Sequence, residues 1–187
     1  IADVVSGLNA IIWNDLISRD LLVSYDAPSW AAEVSEGLND PNGYYYAIVK
    51  QAIVLAYDKN QVSEEDAPTD WTDLWTNEKF FGKYEASGRL TAGTTRNVIA
   101  GILSRYSDPN GELGVSDEGW EAIAAYYQHG VPNEEGVDSY AQIANPNSPV
   151  LMCQMWSSGV IQYDEMYGTS TGVAKPEVGI PYAVEGI

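Results

Sequence analysis

Two apolar, β-rich runs stand almost back to back in the first third of the chain. Tyr44-Tyr45-Tyr46-Ala47-Ile48-Val49 and Ala52-Ile53-Val54-Leu55-Ala56-Tyr57 are separated only by Lys50 and Gln51. Branched and aromatic side chains suit a pleated surface, so these segments predict two consecutive strands. Asp40-Pro41-Asn42-Gly43 is a strong turn signal just before them, and Asp58-Lys59-Asn60 closes the second. A chain built around such a pair must contain a sheet, and the rest of the sequence supplies helices to cover it.

Helical patterns alternate with shorter extended ones. Val4 to Gly7 suits a strand running into a turn, and Leu8 to Leu16 a helix. Asp70 to Trp75 starts a short helix that Thr69 or Asp70 can cap. Val98, Ile99, Ile102, Leu103 and Tyr106 recur at helical spacing, so a helix is expected over 97–106. A further helix begins near Ser116 and ends at His129-Gly130, with Trp120, Ile123, Ala124 and Tyr127 sharing a face. Tyr140 to Ile143 forms a short helical piece, Gly159 to Tyr167 a helix, Gly168 to Gly172 a loop, and Val178 to Val184 the last strand before a Glu185-Gly186 turn. The sum is α/β, without internal repeats.

Length and charge narrow the function classes. A chain of 187 residues can bury one good core, or one domain and part of another. Nine Lys and Arg against 27 Asp and Glu give a net charge of −18, which repels phosphate backbones and removes nucleic acid as a partner. The single cysteine, Cys153, excludes an internal disulfide and reads as a small buried hydrophobe. No cluster of Cys, His and carboxylates stands at ligand spacing, so neither a metal site nor a cofactor is expected. The 13 Tyr and 6 Trp carry polar handles that suit a wet cleft as well as a core edge. No apolar stretch is long enough to span a membrane. Ile1 is not an initiator residue and no signal peptide is present, so the chain reads as a processed or excised piece.

Few motifs carry chemistry. Thr94, Thr95 and Arg96 follow Gly93 at the start of a predicted helix, where unsatisfied amides and the helix dipole suit an anion. Simple N-capping by either threonine is the alternative reading. Asp164 and Glu165 follow Trp156 by about two helical turns, so a carboxylate beside an aromatic could hold an ammonium group. The same acids also suit a solvated helix surface. Asp108-Pro109-Asn110-Gly111 opens a surface turn, because Leu113 stands where a calcium loop needs glycine. There is no nucleophile elbow, and His129 at a helix end suits capping better than catalysis, so no enzyme is expected.

Three stretches together resemble a known family. Ala67-Pro68-Thr69-Asp70-Trp71-Thr72-Asp73-Leu74-Trp75, Met155-Trp156-Ser157-Ser158-Gly159 and Tyr182-Ala183-Val184-Glu185-Gly186 are similar, in order and spacing, to segments of the extracellular solute-binding proteins of ABC importers, specifically the spermidine/putrescine-binding branch. The resemblance covers nearly the whole chain. It implies an α/β periplasmic-binding-protein-like fold of type II, with two lobes. Residues 1–50 would give part of the first lobe and the crossover, 51–178 the second lobe, and 179–187 the return hinge strand. The implied function is capture of a small cationic, polyamine-like solute in an interlobe cleft and delivery to an ABC permease. Trp156, with Tyr44, Tyr45 or Tyr46, would hold the methylene chain, and Glu185 would match a hinge glutamate. The alternatives are the same fold binding an anion or a ferric complex through Thr94, Thr95 and Arg96, and a non-binding structural or interaction domain. The resemblance also implies an extracellular or periplasmic location, with the full-length protein membrane-tethered by a lipid anchor outside this segment. Such proteins carry ligand contacts beyond these 187 residues, so weak or absent binding is expected of this chain alone.

Overall fold

The computed structural model describes residues 3–133 and 136–187. The chain divides into two compact units, Ile1–Gln51 with Tyr182–Ile187, and Ala52–Pro181. It therefore crosses between them twice, at Gln51–Ala52 and at Pro181–Tyr182.

The first crossing lies inside a strand. The two runs predicted as separate strands form one, β2 (Ala47–Asp58), which begins three residues later than expected. Lys50 and Gln51 interrupt the apolar pattern without bringing a glycine or proline, so nothing breaks the extended backbone. Within the larger unit every residue from Ile53 to Asp58 is buried. Ile53, Leu55 and Tyr57 join a core with Trp71, Leu74, Trp75, Tyr84, Ile102, Tyr126 and Met152. Val54 and Ala56 join a second core with Tyr140, Ile143, Val150, Cys153 and Met155. The twofold period of a strand sends alternate side chains to opposite faces, and helices cover both. Each fully buried aliphatic contributes roughly 1.5–3 kcal/mol.

The helices of the larger unit are α2 (Asp73–Thr76), α3 (Gly93–Leu103), α4 (Asp117–His129), α5 (Ser139–Ala144) and α6 (Val160–Tyr167). Two antiparallel neighbours flank β2: β3 (Met152–Trp156) and β4 (Thr171–Val173). The strand β4 occupies residues expected as loop. Gly172 is required there, because a Cβ would stand 2.2 Å from the Tyr57 ring. Helix α3 starts four residues before the predicted span and ends three earlier, with a 3-10 turn at Ser104–Tyr106. Helix α4 begins at the expected cap, where Ser116 accepts from the Gly119 amide at 3.4 Å. Its inward residues are Ala122 and Tyr126, with Ile123 and Tyr127 half-buried, whereas Ala124 faces out. At the start of α2 the Asp70 carboxylate accepts from the Thr72 amide at 3.3 Å, as a cap by Asp70 requires, and the Asp73 carboxylate takes the amides of Thr69 and Asp70 in return.

The smaller unit pairs β1 (Leu8–Asn9) with β5 (Tyr182–Gly186), antiparallel. The strand expected at Val4–Gly7 lies at Leu8–Asn9, starting four residues later, and the helix expected from Leu8 starts two residues later, at Ala10. Asn9 accepts from the Ile12 amide at 3.1 Å and starts α1 (Ala10–Ser18). Trp13 is buried on that helix and stacks on Tyr45 at 5.6 Å. Glu185 and Gly186 extend β5 rather than form a turn, and Val178 to Pro181 precede it. Gly186 leaves room for the packing: a Cβ would lie 3.0 Å from the Tyr46 carbonyl and 3.1 Å from the Trp13 indole nitrogen.

Candidate functional site

Short parallel bridges organise one end of the larger unit. Tyr84 pairs with Met152 and Glu85 with Val131, both parallel. Past these bridges the chain runs from Glu85 toward α3, from Val131 toward α5, and along β3 to the turn before α6. Residues past the carboxyl ends of parallel segments commonly frame a ligand crevice in α/β folds. A cavity of about 450 Å³ lies there, within this unit alone. Its walls come from Glu85, Ser87 and Arg89, from the first turn of α3, from the loop into α5, from the end of β3 and from the start of α6.

One side of the cavity is electropositive by construction. The α3 residues Thr94 and Thr95 line it, and their amides precede the first intrahelical bond, from Arg96 to the Ala92 carbonyl at 3.2 Å. Ala92 occupies the N-cap position and has no side chain to satisfy them. The threonines thus lie inside the helix and do not cap it. The Thr95 hydroxyl instead bonds Ser87 at 3.1 Å. At α6 the N-cap is Gly159, again without a side-chain cap, and Gly159 lines the same cavity. By contrast α5 is closed off, because Asp138 accepts from the Tyr140 amide at 2.9 Å. Arg89 joins the electropositive wall. Arg96, expected in that role, is exposed and does not line the cavity.

The acidic groups divide differently. Asp164, a candidate for an ammonium group, does not line the cavity. Its Oδ1 accepts from the hydroxyls of Tyr140 at 2.9 Å, Thr169 at 2.7 Å and Thr171 at 2.6 Å, and from the Thr171 amide at 3.1 Å. Burial alone would raise its pKa; the bonds from Thr171, Thr169 and Tyr140 outweigh burial and hold it below the usual carboxylate range. Asp138 is engaged by the α5 amide and by the Tyr167 hydroxyl at 2.9 Å. Glu85 is the exception. Burial pushes its carboxyl up, bonds from Ser139 and Asn133 oppose that, and the Asp138 charge adds to the rise.

Aromatic groups complete the lining. Trp156 is half-buried at the end of β3 and faces the cavity, with Tyr163 on α6. Tyr163 stacks on Tyr140 at 4.9 Å and on Tyr167 at 6.2 Å. Cys153 is fully buried, and desolvation raises its thiol pKa. The structure therefore brings together Trp156, Thr94 and Thr95 among the residues singled out from sequence. Tyr44, Tyr46 and Glu185 belong to the smaller unit. There the Tyr46 hydroxyl donates to the Tyr25 carbonyl at 3.0 Å, the Tyr44 amide donates to Asp40 at 3.1 Å, and Glu185 accepts from Gln51 at 3.0 Å. Sequence reading missed Arg89 and Glu85. Arg89 lies four residues before the flagged glycine-threonine turn, and Glu85 is a lone acid between Tyr84 and Ala86.

Comparison with known proteins adds the family. The family model described as bacterial extracellular solute-binding protein matches residues 1–180. The chain belongs to that family. A probable ABC transporter periplasmic-binding protein of Sinorhizobium fredii is 31% identical over 186 residues, covering 100% of this chain and 50% of the relative. The solute-binding chain thus spans about half the length of the curated relative it matches. Iron-bound HitA from Pseudomonas aeruginosa superposes with a TM-score of 0.76 at 20% identity, over 99% of this chain and 57% of that one. Ferric iron-binding protein A of Mannheimia haemolytica, in an open conformation, gives 0.72 at 14% identity over 99% and 58%. A periplasmic thiamin binding protein gives 0.69 at 14% identity over 99% and 54%. These likenesses establish the α/β fold of type II periplasmic binding proteins. They do not single out the spermidine/putrescine branch, which the sequence motifs had suggested.

Proposed function

We propose that this chain belongs to the extracellular substrate-binding component of an ABC importer, and that its larger unit receives the anionic part of a small solute. The carrying observation is the cavity wall where the uncapped first turn of α3 meets Arg89. Helix N-termini attract anions through free amides and the helix dipole, and a guanidinium adds a forked donor. The polyamine reading loses its support at Asp164, whose Oδ1 is already saturated by four donors. An iron–anion complex fits the same wall, in keeping with the names of the ferric-binding neighbours. Among the described residues no group of three or more His, Cys, Asp and Glu could hold a metal ion.

The two units are read as pieces of the two lobes, the permease as the partner that receives the solute, and the compartment as outside the cytoplasmic membrane. No helix among the described residues is long and apolar enough to cross a membrane. Titration calorimetry of the chain at high concentration with phosphate, ferric citrate, putrescine and spermidine tests the ligand class. Heat from phosphate or ferric citrate that Arg89→Ala removes is the expected result. Heat from the polyamines and none from the anions would reverse the assignment.

A further inference from the structure

The cavity has a second polar feature that anion binding leaves unused. Glu85 is only 5% exposed, yet it lines the cavity, and its Oε2 has no hydrogen-bond partner among the described residues. Its other oxygen accepts from the Asn133 amide at 3.1 Å, and that amide also bonds Ser139 at 3.1 Å. Asn133 Oδ1 is likewise buried without a partner and lines the same space. Glu85 Oε2 and Asn133 Oδ1 are therefore two buried oxygen acceptors of the cavity lining that lack a donor among the described residues. Leaving even one such group unsatisfied is costly, and native folds rarely tolerate two together.

Location explains the tolerance. Ser87, which takes the Thr95 hydroxyl, follows Glu85 by two residues, so the two are at most about 7 Å apart along the backbone. The unpaired acceptors thus face the same small cavity as the α3 first turn. An anion seated at α3 presents the rest of its molecule to them. Resting on the anion reading above, we propose that the Glu85–Asn133 pair is a specificity site for an ammonium group, so that the solute is a small zwitterion: anion at α3, amine at Glu85. An ammonium supplies three donors and restores the charge balance that burial denies to the carboxylate. A site built this way rejects an analogue lacking the donor group far more strongly than an apolar pocket rejects a missing methylene.

Paired probes separate this inference from the reading it rests on. Phosphoethanolamine and ethyl phosphate share the anion and differ in the amine. Amide-shift titrations of the wild-type chain at pH 7.5 give both affinities, and Glu85→Gln repeats them in a nearly isosteric site. We expect phosphoethanolamine to bind at least tenfold more tightly than ethyl phosphate. We also expect Glu85→Gln to erase that advantage. Equal wild-type affinities, or an advantage that survives Glu85→Gln, would overturn the ammonium site and leave the anion reading standing. Failure of both probes to shift any α3 amide would overturn the anion reading and this inference with it. Equal wild-type affinities would overturn the inference even if the variant does not fold.

Discussion

Two carboxylates of the larger unit meet opposite fates. Asp164 collects four donors and is held below the usual carboxylate range against the cost of its burial. Glu85 is more deeply buried, keeps one oxygen unpaired beside a cavity, and is pushed the other way. A satisfied acid ties α5, α6 and β4 together and serves the fold. An unsatisfied one in a cavity wall is a cost that the fold carries and a ligand can offset. The sequence left Asp164 open between an ammonium ligand and a solvated helix surface and did not mark Glu85; in the structure Asp164 is engaged by protein donors and does not line the cavity.

The largest effect expected from this contrast is at Asp164. Replacing it with alanine leaves the Tyr140, Thr169 and Thr171 hydroxyls without their shared acceptor. Chemical denaturation should find a loss of about 2–4 kcal/mol. A loss under 0.5 kcal/mol would remove the distinction between the two acids. Glu85→Gln should move stability in the other direction. A carboxyl whose folded pKa is raised binds protons more tightly in the folded chain. Its stabilising share is present at low pH and is lost as pH rises through the folded value. The variant lacks that loss, so it should be more stable than wild type at pH 8, by about 1 kcal/mol, and no more stable at pH 4. Thermal melts at the two pH values check the crossing. Asp164 has the opposite sign. Its folded pKa is lowered, so its share is present above the unfolded value and lost as pH falls through the folded one. Wild type should therefore lose stability on acidification near pH 3 more steeply than Asp164→Asn does. The smallest effect is a control away from both acids: Ser116→Ala removes the α4 cap and should cost about 1 kcal/mol without altering ligand binding.

The fold was more legible than the site. Hydrophobic periodicity located α3 and α4, and the residue-type pattern located β2, since each depends on near neighbours. Where the reading slipped, the cause was local: Lys50-Gln51 looked like a break, and Glu185-Gly186 looked like a turn until pairing with Leu8 and Asn9 extended the strand. Of the candidate site, only the α3 start and Trp156 were flagged from sequence, both by short motifs. Asp164 could not be placed, because its partners Tyr140 and Thr171 lie 24 and 7 residues away and meet only in the folded unit. Arg89 carried no signal beyond its nearness to Gly93. Glu85 did carry one, an acid between Tyr84 and Ala86 in a stretch that folds inward. A lone charge in an apolar stretch marks either a buried partner or a ligand.

The central claim is that solute recognition in this unit begins at the uncapped α3 turn. Residue-resolved amide shifts on titration with inorganic phosphate test it most directly. Saturable shifts concentrated at Thr94, Thr95 and Arg96 are expected, with a lesser effect at Gly159, and their loss in Arg89→Ala. Shifts centred on the Asp164 cluster, or saturable shifts that leave the α3 turn unmoved, would contradict it.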